Sequence, residues 1–108
     1  MTTRENASWI ELATGTNAIA TAIAAAPVGG LSHFITSVSG SFGAAVSGAT
    51  LILSDGGTEV ARWHVHNSFS ISLPSPIKID AGNAADLALA ASGSAGVDGS
   101  AVLTGYTL

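Results

Sequence analysis

Leu51-Ile52-Leu53-Ser54-Asp55-Gly56-Gly57-Thr58-Glu59-Val60-Ala61-Arg62-Trp63-His64-Val65 is the stretch that decides the fold. An aliphatic run enters Ser54-Asp55-Gly56-Gly57, and a second run returns. Asp-Gly accepts the positive φ angles of a tight hairpin turn, so the two runs are expected to pair antiparallel. Side chains alternate across a strand. Ala61, Trp63 and Val65 therefore share one face, and Val60, Arg62, His64 and His66 share the other. The Trp63 face is the expected core.

Outward from this hairpin the same grammar repeats. Phe69-Ser70-Ile71-Ser72-Leu73 alternates cleanly, and Pro74 and Pro76 are expected to end that strand by removing ladder donors. Ile77 and Ile79 flank Lys78. Upstream, residues 31–39 place Phe34 and Val38 on one face and Leu31, His33 and Ile35 on the other. Residues 101–106 read as a closing strand. Residues 17–26 and 83–91 are rich in Ala, the best helix former, and Asn83 with Asp86 resembles a helix cap. Against that, Leu87, Leu89 and Ala91 alternate with Asp86, Ala88 and Ala90, so both segments are assigned to strands. Seven to eight short strands give an all-β, single-domain antiparallel β-sandwich or jelly roll. Residues 1–8 read as an N-terminal arm and residues 9–108 as the sandwich.

Composition narrows function mainly by exclusion. The chain has 108 residues, enough for one domain, and its 3 basic and 7 acidic residues leave a net charge of −4. Arg4, Arg62 and Lys78 cannot form the cationic face that phosphates require, so nucleic acid is not an expected partner. No apolar run reaches the ~18 residues of a spanning helix, and no membrane partner is expected. Residues 18–26 are apolar, yet Arg4 is cancelled by Glu5 and Glu11 follows, which is the wrong leader for a secretion signal. The absence of cysteine removes disulfides and thiolate chemistry.

Candidate chemistry is sparse. His64 and His66 point the same way on a strand and could meet one metal ion, with His33 as a possible third ligand. No carboxylate follows them, so a polar or subunit-facing strand surface is the preferred reading; no cofactor is expected. Around a threefold axis the same pair could form a pH-sensitive ring. The abundant serines lack an activating arrangement, which argues against an enzyme. Asp80-Ala81-Gly82-Asn83 reads as a β-turn rather than as part of a calcium loop to Asp86. Trp63 is expected in the core with Phe69, Ile71 and Tyr106. Trp9, beside the arm with Arg4 and Glu5, is the expected anchor on a partner surface.

The order of several segments carries a resemblance. The Asp55-Gly56-Gly57 hairpin, the run Phe69-Ser70-Ile71-Ser72-Leu73-Pro74-Ser75-Pro76-Ile77-Lys78-Ile79, Gly82-Asn83, Leu87-Ala88-Leu89-Ala90-Ala91-Ser92-Gly93 and Thr104-Gly105-Tyr106-Thr107 succeed one another over residues 31–108. In this the chain resembles small bacteriophage virion proteins that decorate, or cement, capsids. The resemblance implies a jelly-roll or related sandwich, often a homotrimer, bound to the major capsid protein on the outer capsid surface and bridging capsomers. It transfers no catalytic residue. The alternative is a carbohydrate-binding or adhesion sandwich on a tail, fibre or cell surface, which would need exposed aromatic side chains.

Overall fold

In the computed structural model, which describes residues 8–65, 67–92 and 95–108, eight strands lie among the described residues. They are β1 (Ser8–Gly15), β2 (Ala20–Ala24), β3 (His33–Phe42), β4 (Gly48–Asp55), β5 (Thr58–Val65), β6 (Phe69–Lys78), β7 (Ala85–Ser92) and β8 (Gly99–Thr107). One antiparallel sheet has the order β1-β8-β3-β6 and the other β2-β7-β4-β5. This interleaving of successive strands between two sheets is the double Greek key of a jelly roll. A 3-10 turn at Thr16–Ala18, with φ of 59° at Asn17 and 52° at Ala18, carries the chain from the edge of the first sheet to the edge of the second.

Alternation builds the core. Ile35, Val38, Leu51, Leu53, Leu87, Leu89 and Leu103 point between the sheets and are fully or almost fully buried. Ala20, Ala22, Ala24, Ala49, Ala85 and Ala101 fill the remaining inward positions. The Ala-rich segments thus form strands because their alanines cover the leucines of facing strands, and this packing overrides helix propensity. Trp63, Phe69 and Ile71 pack against this core from the edge strands, as expected.

The hairpin forms where the sequence places it. Asp55 pairs with Thr58 across Gly56 and Gly57, whose φ angles are 58° and 97°. The Asp55 carboxylate also accepts from the Asp80 backbone N–H at 3.0 Å and from Asn83 Nδ2 at 2.9 Å. It thereby ties the hairpin turn to the Asp80–Asn83 turn, which closes through Asn83 N–H to Asp80 O at 3.0 Å.

Four expectations are corrected. A β-bulge at Thr36 shifts the β3 register between Ile35 and Ser37, so Ile35 and Val38 both face inward. Phe34 faces outward and stacks on Tyr106, with ring centroids 5.2 Å apart, so Tyr106 lies outside the core. The prolines do not end β6, which runs through Pro74 and Pro76 to Lys78. Pairing with β3 jumps from Ser72 to Ile77 around them, which an edge strand tolerates because its outward groups have no ladder to complete. Finally, Ser8 belongs to β1, and residues 1–7 of the expected arm lie outside the described residues.

Candidate interaction surface

Strand β1 is an edge of the first sheet, and its outward row reads Ser8, Ile10, Leu12, Thr14. Ile10 is 68% exposed and Leu12 65%. Edge strand β2 of the second sheet presents Ile23 at 52%, with Ile19 at 61% just before it. The two edge strands lie against each other, with Ile10 and Leu12 on the outer face of the first sheet and Ile23 on that of the second. Burying such a side chain gains about 1.5–3 kcal/mol, and exposed apolar patches on a monomer mark interaction sites.

The surroundings of β1 are neutral. Cross-strand partners share a face, so the outer row of β8 is Ser100, Val102, Thr104 and Tyr106. The outer row of β3 is Phe34, Ser37, Ser39 and Ser41. None of these side chains carries a charge. Ser41 and Ser100 hydrogen-bond to one another at 2.9 Å.

A buried polar chain fixes the start of β1. Trp9 Nε1–H donates to Thr107 Oγ1 at 2.9 Å. His33 Nε2 lies 2.7 Å from the carbonyl oxygen of Ala25, which can only accept, so Nε2 carries the proton. Nδ1 then accepts from the Thr107 hydroxyl at 2.8 Å. The indole also meets the His33 ring edge-on, with centroids 5.2 Å apart. It lies over Gly105, where a Cβ would come within 3.0–3.1 Å of the Trp9 ring carbons. Three strands and the segment after β2 are locked together by this chain.

The opposite edges differ. β6 carries Pro74 and Pro76. β5 has a register shift opposite Leu53 and Ser54 that leaves Val60 extra, and its surface holds a two-pronged ion pair. Arg62 donates to Glu59 from Nε at 2.9 Å and from Nη2 at 2.8 Å. The Arg62 hydrogen bond holds the Glu59 carboxyl below its ordinary pKa, against a small opposing effect of desolvation, and raises the guanidinium in turn.

The predicted site residues are dispersed. Both His33 nitrogens are engaged inside the sandwich, which removes it as a third metal ligand. His64 is exposed on β5, opposite Thr50, and His66 lies outside the described residues. Among the described residues no group of three or more His, Cys, Asp or Glu is arranged to hold a metal. Arg4 and Glu5 also lie outside the described residues. Trp9 faces inward, and its ring serves packing and the hydrogen bond to Thr107. Two open clefts are present: one around Thr14, Ser41, Phe42, Asp98 and Ser100, the other around Thr50, His64, Ala90 and Ser92, without a carboxylate. Sequence reading missed Ile10 and Leu12, although their alternation with Trp9, Glu11 and Ala13 was available as a signal.

No protein-family model matches the sequence, nor does any curated protein. Solved structures do match in shape. A protein of the disulfide-linked pili of Bacillus endospore appendages aligns over 94% of this chain and 88% of its own, with TM-score 0.51 and 16% identity. The CBM36-1 domain of a multidomain xylanase from the hindgut metagenome of Trinervitermes trinervoides aligns over 92% of this chain and 95% of its own, with TM-score 0.48 and 13% identity. The tripod of the bacteriophage Tuc2009 baseplate aligns over 95% of this chain and 46% of its own, with TM-score 0.30 and 13% identity. At 16% identity, the likeness to the pilus protein is one of fold.

Proposed function

We propose that this chain is a structural building block of a repetitive protein assembly that works by protein–protein contact and performs no catalysis. The observation that carries this reading is the exposed aliphatic row of Ile10 and Leu12 on edge strand β1, in a chain with only ten Lys, Arg, Asp and Glu residues in total. A contact made by such a surface desolvates few charges, whose burial would otherwise oppose assembly. Small Ser, Ala and Gly side chains on the adjoining faces also lose little rotamer entropy when covered.

Within that class, the order of segments along residues 31–108 favours a bacteriophage virion protein on the outer capsid surface, bound to the major capsid protein. The pilus protein lends support of a general kind, since a chain of similar fold belongs there to disulfide-linked pili. The present chain has no cysteine, so copies of it are not joined by disulfides. Quantitative mass spectrometry of gradient-purified particles from the source tests this function. Capsid decoration predicts many copies per particle in fixed ratio to the major capsid protein. A few copies per particle would move the chain to a tail, and none would remove the virion role.

The stacked Phe34–Tyr106 pair on the outer face favours a second reading, a carbohydrate-binding module. Both tryptophans face inward, so this pair would have to supply the sugar platform. Glycan-dependent quenching of Tyr106 fluorescence, abolished in Phe34→Ala, is the outcome that reading requires.

A further inference from the structure

We infer that β1 is a homotypic docking strand: two copies pair their Ser8–Gly15 edges antiparallel about a twofold axis and join two four-stranded sheets into one. This rests on the structural-module reading and names its contact surface and partner.

Three observations carry it. First, β1 pairs without any register shift along all eight residues with β8, its ladder partner among the described residues. Among the described residues, the backbone donors and acceptors on the other side of the strand have no ladder partner. Second, β1 carries no proline, lysine or bulge, the devices that blunt an edge, and its one charged residue, Glu11, sits on the inward row with Trp9 and Ala13. Those devices sit on β5 and β6, at the other side of the sandwich. Third, the neighbouring outer rows of β8 and β3 carry hydroxyl and aromatic side chains with Val102 and no charge, so two copies meet on that face without opposing charges.

These facts select the occupant. The other edge of the same sheet is interrupted by Pro74 and Pro76, so a second copy finds its matching edge in β1 itself. The strand is compatible with its own reverse. Setting Leu12 opposite Leu12 places Ile10 opposite Thr14 and Glu11 opposite Ala13. The two Leu12 side chains then extend the Ile10–Val102 patch across the axis, and no carboxylates face each other. The register that opposes Glu11 to Glu11 is disfavoured by like-charge contact. Because the contact is isologous and the far edge is blocked, association closes at two copies and does not propagate as a fibre. A homotrimer, if formed in an assembly, would need a different surface.

Sedimentation of the full-length chain tests this. The expected species has about twice the 10.6 kDa chain mass. Leu12→Lys should return it to the single-chain mass, with a circular-dichroism spectrum and melting of a folded sandwich. Ile10→Thr, a milder change on the same row, should shift the dimerisation constant in the same direction should Leu12→Lys fail to fold. Val60→Lys, on the exposed face of β5, should leave the dimer intact. A wild-type chain that sediments as a monomer or trimer, or a dimer indifferent to both β1 variants, would overturn the proposal. Copy number separates it from the broader function. A monomeric chain abundant in particles would remove β1 pairing and keep the structural role; a β1 dimer absent from particles would do the reverse.

Discussion

The two long sides of this sandwich are built from similar strands and treated in opposite ways. At the β5/β6 side, inward-facing Trp63, Phe69 and Ile71 are accompanied by interruptions of the ladder: two prolines, a bulge and an ion pair at Glu59 and Arg62. At the β1/β2 side, inward-facing Trp9 is accompanied by an uninterrupted ladder and by outward Ile10, Leu12, Ile19 and Ile23. A sheet edge left regular, with an apolar outer row, is a template for pairing, and proteins that stay monomeric normally disrupt it. The two sides thus differ in continuity: the ladder is interrupted along one edge and unbroken along the other.

The largest expected effect separates the two tryptophans. Trp9→Ala removes both packing over Gly105 and the donor to Thr107, and should cost about 3 kcal/mol in denaturant unfolding. Trp63→Ala on β5 should cost about 2 kcal/mol, since packing dominates there. Equal losses would deny the β1 side its extra anchoring. Next, Thr107→Val leaves the Trp9 indole N–H and His33 Nδ1 without their shared hydroxyl. Its expected cost is about 2 kcal/mol, visible as a lowered urea midpoint; an unchanged midpoint would mean the polar chain adds nothing.

Smaller still is the effect of Leu12→Lys on a single folded chain. With the side chain mostly exposed, unfolding of the monomer should change by no more than about 0.5 kcal/mol, even though association is lost. A large destabilisation would show that β1 is part of the core and not a contact surface. The weakest effect belongs to Glu59. Its carboxyl is held below the usual range by Arg62, so any contribution is present at neutral pH and lost as pH falls through its folded-state pKa. Glu59→Gln should flatten only that acid limb of a stability–pH profile, and a change at neutral-to-alkaline pH would contradict the assignment.

Much of this architecture was legible in the residues. Asp55-Gly56-Gly57 announced its hairpin through conformational freedom, and Leu87, Leu89 and Ala91 announced β7 through period-two alternation. What failed was what a single strand cannot display. The extra residue at Thr36 reverses the phase of β3, and nothing in Phe34-Ile35-Thr36-Ser37-Val38 marks where the slip falls. Pro74 and Pro76 looked like terminators because their tolerance depends on β6 being an edge, which is a property of the sheet. His33 reads as a possible ligand in the sequence, but Ala25, eight residues before it, and Thr107, 74 residues after it, engage both its nitrogens. The candidate surface was hidden for the same reason: Ile10 and Leu12 stand out only once β1 is known to have a neighbour on one side.

Residue-resolved amide hydrogen exchange on the concentrated native chain tests the central claim most directly. The alternate β1 amides that point away from β8 are predicted to exchange slowly, while the outward amides of edge strand β6 exchange fast. If those β1 amides exchange as fast as their β6 counterparts, the β1 edge is uncovered in solution and the distinction between the two sides falls.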